Sequence, residues 1–172
     1  FYGGLLLGLL GIYVYCRLSK IDFLRYADLI TPSVLFGVFL GRFGCFLAGC
    51  CWGKPTDMPW GVVFSDLKSF SPDHTHALHP TQLYESAVGL ILASYCWVKS
   101  NHRRYNGEIL FTGLIGYSVA RFIIEFYRGD DYRGFVLDGS LSYAQLVSLT
   151  ILPFTIVAMF LFSRMRREFQ EG

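Results

Sequence analysis

The sequence predicts an all-α fold, a polytopic bundle of about five membrane helices forming one integral-membrane domain over residues 1–172. Three observations predict it. Of the 172 residues 53% are hydrophobic and only 16% charged, and the mean hydropathy is positive; soluble domains carry about 25% charged residues. Apolar stretches near the ~20 residues needed to cross a ~30 Å hydrocarbon core recur along the chain. Lysine and arginine are distributed unevenly between alternate loops, as orientation in a membrane requires. The net charge of +2 is too small to call for a nucleic-acid partner.

The first stretch, FYGGLLLGLLGIYVYC at about 1–16, falls a few residues short of a span. It lacks the positive flank of a signal peptide, and it opens on Phe1, so earlier helices are expected to precede it. The second span is read at about 27–49 and ends in GRFGCFLAGCCWG (41–53). An external loop, 50–79, separates it from the third span, 80–98, which opens on HPTQLYES; Pro80 is a helix-start signal. The fourth span, 107–127, ends in ARFIIEFYR, and the fifth, 142–163, follows a second external loop. In that last span Gln145 and Ser148 form a polar stripe that suits helix association, and Pro153 is expected to kink it.

Nine basic residues (Arg17, Lys20, Arg25; Lys99, Arg103, Arg104; Arg164, Arg166, Arg167) lie on one side of this arrangement. Four (Lys54, Lys68, Arg128, Arg133) lie on the other. The positive side faces the cytoplasm, so the C-terminus is cytoplasmic and residues 50–79 and 128–141 lie outside.

Four charged residues, Arg42, Glu85, Arg121 and Glu125, then fall toward the outer halves or at the outer ends of spans. Each costs ~2.5 kcal/mol or more at membrane depth, which points to a shared site near the outer leaflet. Arg121, Glu125 and Arg128 stand at i, i+4 and i+7, on one helical face, where Glu125 can orient either arginine. The plain alternative is an ion pair that locks helix packing. Two guanidiniums at that depth suit a phosphate, and the abundant phosphate there is a phospholipid headgroup. Gln82, Tyr84 and Glu85 add polar groups to the first turns of the third span, or act as an interfacial cap with a belt tyrosine. Gly41, Gly44, Gly49 and Gly53 are expected to let the chain leave the helix and pack closely. Cys45, Cys50 and Cys51 read as small buried space-fillers. His74, His76 and His79 with Cys50 and Cys51 match no standard zinc spacing, so no metal or cofactor is expected. Five cysteines at no framework spacing fix no disulfide.

GRFGCFLAGCCWG, HPTQLYE and RFIIEFYR, in this order and at these depths, resemble the signatures of the prolipoprotein diacylglyceryl transferase family, and the likeness runs over essentially the whole chain. FYGGL looks like that family's third span and LSYAQLVSL its last. The resemblance implies seven spans in all, with two helices and part of an external arm preceding Phe1, in the bacterial plasma (inner) membrane. It implies transfer of diacylglycerol from phosphatidylglycerol, a membrane lipid, to the lipobox cysteine thiol of a preprolipoprotein, with release of glycerol phosphate. Arg42, Arg121 and Glu125 would act on the phosphate; Gly44, Gln82, Tyr84, Glu85 and Arg128 would join Arg42 in holding the lipid. The family signature usually reads G-R-x-G-N-F-x-N-G-E, so its asparagines fall here on Cys45 and Ala48 and its glutamate on Cys50. A histidine that often precedes the glycine pair falls on Tyr2. Tyr2 and His79 are the two candidate bases: tyrosine has a reference pKa of ~10, while histidine titrates near neutrality. Two other classes fit parts of the chain, a non-catalytic phospholipid-binding or transport protein and a membrane thiol–disulfide oxidoreductase.

Overall fold

The computed structural model of the chain describes residues 2–71, 73–130, 134–136 and 141–171; for 2–6, 9 and 165–171 it describes the backbone only. The helices are α1 (Tyr2–Leu18), α2 (Phe23–Ala48), α3 (Thr81–Ser100), α4 (Glu108–Ile124, continued by a 3₁₀ turn over Glu125–Tyr127) and α5 (Tyr143–Glu171). Each falls on one of the expected apolar stretches. By length and composition, three helices among the described residues suffice to cross a membrane: Phe23–Ala48, Glu108–Tyr127 and Tyr143–Arg164.

Helix α2 starts four residues earlier than its apolar run suggests because Asp22 caps it. The Asp22 carboxylate accepts from the amides of Leu24 and Arg25 at 2.9 and 3.3 Å, satisfying donors that a helix start leaves open. Burial pushes its pKa up, but bonds from Asn106 and those two amides outweigh it and hold the carboxyl below its usual value. The helix runs through Gly41 and Gly44, where an added Cβ would meet nothing within 4 Å, so these two glycines neither release the chain nor seat a neighbour. Gly49 does end the helix. It adopts φ +67° and returns its amide to the carbonyls of Cys45 and Phe46, a left-handed cap that glycine favours.

Many polar and charged groups are buried and many large apolar ones are exposed. Gln82, Glu85, Thr81 and Asp28 are among the largest fully buried side chains, while Leu29, Leu40, Leu47, Phe154 and Phe160 are exposed, as expected of helices whose outer faces meet lipid. Helices α2 and α3 pack closest at Gly89, where a Cβ would sit 2.8 Å from the Phe39 amide nitrogen. Beside that contact Ser86 donates to the Phe39 carbonyl at 3.0 Å, and Leu35, Ala93, Cys96 and Ile109 form a small apolar core. At one end of the bundle buried Asp28 of α2 caps α4, accepting from the amides of Gly107, Ile109 and Leu110 at 2.8, 3.0 and 2.9 Å. Lys99 pairs with Glu108 at 3.2 Å there.

At the opposite end the segment between α2 and α3 folds back over the bundle. Val62 and Leu78 exchange backbone hydrogen bonds at 3.0 Å, and the Gly53 and Lys54 amides donate to His79 and Tyr127 carbonyls. Gly53 is required here: a Cβ would lie 2.5 Å from the His79 carbonyl oxygen. The segment between α4 and α5 holds a short hairpin that its sequence did not announce, β1 (Phe135–Val136) against β2 (Leu141–Ser142). It leads directly into α5 through a reciprocal cap. Ser142 N–H donates to Gln145 Oε1 at 3.0 Å and Gln145 N–H to Ser142 Oγ at 3.2 Å, the S-x-x-Q capping box. Gln145 therefore serves the helix start. Ser148 bonds the Ala144 carbonyl of its own helix at 2.8 Å, so the expected interhelical stripe is satisfied within α5.

Candidate functional site

Glu85, in the second turn of α3 and 2% exposed, is the centre of the charged cluster. Arg42, near the end of α2, pairs through Nε with Oε2. Arg121, near the end of α4, pairs through Nη1 with Oε1 at 2.9 Å and with Glu125 Oε2 at 2.6 Å. Three helices thus bring two guanidiniums onto two carboxylates, the neutral pairing that buried charges require. The arginines keep more exposure than Glu85: Arg42 is 25% and Arg121 14% accessible. Both guanidiniums are thus more accessible than the carboxylate that joins them. Tyr117, one turn before Arg121, interacts with Arg42, Glu85 and Arg121. Its spacing of four from Arg121 is the signal that could have found it.

The other expected site residues separate into neighbouring groups. Gln82 donates through Nε2 to the Cys50 carbonyl at 2.6 Å, and Thr81 through its hydroxyl to the Cys51 carbonyl at 2.8 Å. They anchor the loop that follows α2. His79 Nδ1 lies 3.1 Å from the Tyr84 hydroxyl, which also accepts from the Trp60 indole at 2.8 Å; Tyr127 packs edge-on against both His79 and Tyr84. Arg128 follows the tightened turn over Glu125–Tyr127, where the backbone becomes extended, and stays within electrostatic reach of Glu85 and Arg42. Its guanidinium forks onto Asp130 at 3.0 and 2.6 Å. Burial pulls the Arg128 pKa down, but the Asp130 carboxylate outweighs that and raises it. Gly44 is exposed on α2, and the Tyr2 side chain lies outside the described residues.

The cysteines depart from the sequence reading. Cys45, Cys50 and Cys51 are half-buried rather than buried, and their sulfurs lie within 4.8 Å of one another. Arg42 Nη1 approaches Cys51 Sγ at 3.8 Å, and Cys50 Sγ donates to the Cys45 carbonyl at 3.6 Å. Burial, with the neighbouring Cys51 and Cys45, pushes the Cys50 thiol up to about 12. A redox-active dithiol needs the opposite shift. His74 and His76 are engaged elsewhere: His74 Nδ1 meets the Phe64 carbonyl at 2.7 Å and His76 Nδ1 the Asp73 carboxylate at 2.9 Å.

This is a helical membrane protein with a buried arginine–carboxylate centre at one end of its bundle. A family model described as prolipoprotein diacylglyceryl transferase matches residues 1–161, and the chain belongs to that family. Similar proteins are the phosphatidylglycerol–prolipoprotein diacylglyceryl transferases of Clostridium tetani (41% identical over 162 residues, 94% of this chain and 62% of the relative), Bordetella avium (34%, 95% and 61%) and Nitratidesulfovibrio vulgaris (36%, 96% and 60%). The chain therefore spans about three-fifths of the length of these relatives.

Proposed function

We propose that the protein containing this chain transfers diacylglycerol from phosphatidylglycerol to the lipobox cysteine thiol of a preprolipoprotein, the reaction named for its relatives. In this reading the thiol sulfur attacks the diacylglyceryl carbon that carries the phosphate. The carbon–oxygen bond breaks, a thioether forms and glycerol phosphate leaves. The observation that carries the reading is the pair of guanidiniums held on Glu85, both more exposed than the carboxylate itself. Each guanidinium has five N–H donors, and Glu85 occupies one side of each. The rest of the fork suits phosphate oxygens, whose charge grows as the bond breaks, and preorganised cations favour that state. Glu125 orients Arg121, and Glu85 sets the spacing of the two arginines. Tyr84 and the open helix surface at Gly44 line the approach of the lipid headgroup, while buried Gln82 and Arg128 hold the segments beside it. The thiol proton goes to a base, for which the candidates are the His79 imidazole and Tyr2, which occupies the family's position.

The same reading gives the chain five spans within one integral-membrane domain, in the bacterial inner membrane, with the site toward the outer leaflet and the C-terminus in the cytoplasm. The nine-to-four distribution of loop cations supports that orientation. The test is direct. Membranes containing the protein are incubated with phosphatidylglycerol and a lipobox peptide, and the peptide is weighed by mass spectrometry. A gain of one diacylglyceryl group at the cysteine, with glycerol phosphate released, is expected. Lipid bound without any thioether product would leave a lipid-binding protein instead.

A further inference from the structure

Three cysteines of this chain stand where the family signature has two polar residues and one position beyond them, and the fold gathers them. Cys45 lies in the last turn of α2, the left-handed cap at Gly49 turns the chain back, and Cys51 itself adopts φ +61°. With all three sulfurs within 4.8 Å of one another, one point lies within about 2.8 Å of each. A thiolate–metal bond to an ion such as zinc is ~2.3 Å, so each sulfur needs to close by only about half an ångström, well within the reach of a small χ1 rotation. The loop is held for this: the carbonyls of Cys50 and Cys51 are fixed by Gln82 and Thr81. Such supporting bonds hold ligands in place around metal centres. Arg42 Nη1, 3.8 Å from Cys51 Sγ, supplies a cationic donor to a sulfur ligand. The group contains sulfur alone, without imidazole or carboxylate, and soft thiolate sets select thiophilic ions such as Cu(I) and Zn(II) over hard cations.

We propose that Cys45, Cys50 and Cys51 form a three-thiolate site for one soft metal ion at the outer end of the bundle. Binding forms three metal–sulfur bonds and releases the thiol protons to solvent, with no change of oxidation state. The half-buried sulfurs leave a path for the ion to enter and a fourth position open to water. The site stands independently of the transferase reading, since its ligands are not the groups assigned to phosphate or base.

Cadmium ion is a suitable probe, because its thiolate bonds absorb in the ultraviolet. The reduced protein in detergent micelles is titrated with Cd²⁺, and the charge-transfer band should saturate at one ion per chain. X-ray absorption of that sample, which needs no variant, should show a shell of three sulfurs. Cys45→Ala, Cys50→Ala and Cys51→Ala should each lower Cd²⁺ affinity by at least roughly tenfold, the scale seen even for supporting residues. The triple variant should lose the band, and Cys16→Ala, in α1, should retain it. A titration that does not saturate near one ion, a shell of oxygen and nitrogen, or a band that survives in the triple variant would overturn the site.

Discussion

Glu85 accepts from two arginines that belong to different helices, and its burial makes that arrangement consequential. Removing one member of a buried ion pair leaves the rest uncompensated and costs ~3–5 kcal/mol. Glu85→Gln keeps the shape and removes the charge, so it should lower stability by about that amount in chemical denaturation of the micelle-bound protein. A loss below about 0.5 kcal/mol would mean that the two guanidiniums find their balance elsewhere. At this scale the sequence was informative where a charge stood toward the outer end of an apolar run, because such a residue is expensive unless partnered; Arg42, Glu85, Arg121 and Glu125 were visible for that reason, while Asp28, near the start of its span, was passed over. Tyr117 was not, since a tyrosine in a membrane helix is ordinary until its neighbours are known. Arg128 was placed on the Glu125 face by helical spacing, and the 3₁₀ turn after Ile124 removed that premise. The cysteine cluster depends on the backbone reversal at Gly49 and Cys51, which spacing alone does not specify.

The helices meet through their ends as much as through their sides. Asp28 reaches from α2 to cap α4, a tie between residues about eighty positions apart, and it receives three backbone donors. Asp28→Ala leaves those amides without acceptors in a buried place. Hydrogen bonds to a charged group contribute ~1.5–3 kcal/mol, so a loss of ~2–4 kcal/mol is expected, with Asp28→Asn intermediate because one carboxylate oxygen is replaced. Thermal denaturation in micelles measures both, and an unchanged midpoint for Asp28→Ala would refute the cap. Hydropathy and length located the helices, but their ends depended on particular side chains. Asp22 extends α2 toward its start, and the Ser142–Gln145 box fixes where α5 begins. Gln145 looked like a residue for helix association because its partner, an amide just before the helix, is not a feature of hydropathy.

Across the whole molecule two ends differ in chemistry. One gathers Asp22, Asp28, Lys99 and Glu108 around the turns rich in basic residues; the other gathers Arg42, Glu85, Arg121 and the folded segments that follow α2 and α4. The orientation we propose from the positive-inside distribution puts the first in the cytoplasm. Alkaline phosphatase, active only outside the cytoplasm, should therefore be inactive when fused after Arg104 or Arg164 and active when fused after Lys68. Activity after Arg104 with none after Lys68 would invert the molecule and put the arginine site on the wrong leaflet. Transfer itself gives the most direct measurement: the rate at which membranes carrying Arg121→Lys convert a lipobox peptide to its thioether. A lysine keeps the charge but replaces the planar fork by a flexible point donor, and loss of one preorganised donor typically lowers turnover by ~10²–10³. Arg121→Lys should fall by about that factor while still inserting in the membrane, with Arg121→Ala and Arg42→Ala nearly inactive and Arg164→Ala at the parent rate. If Arg121→Lys transfers diacylglycerol as fast as the parent, the guanidinium does not grip the phosphate and its pairing with Glu85 and Glu125 is a packing contact.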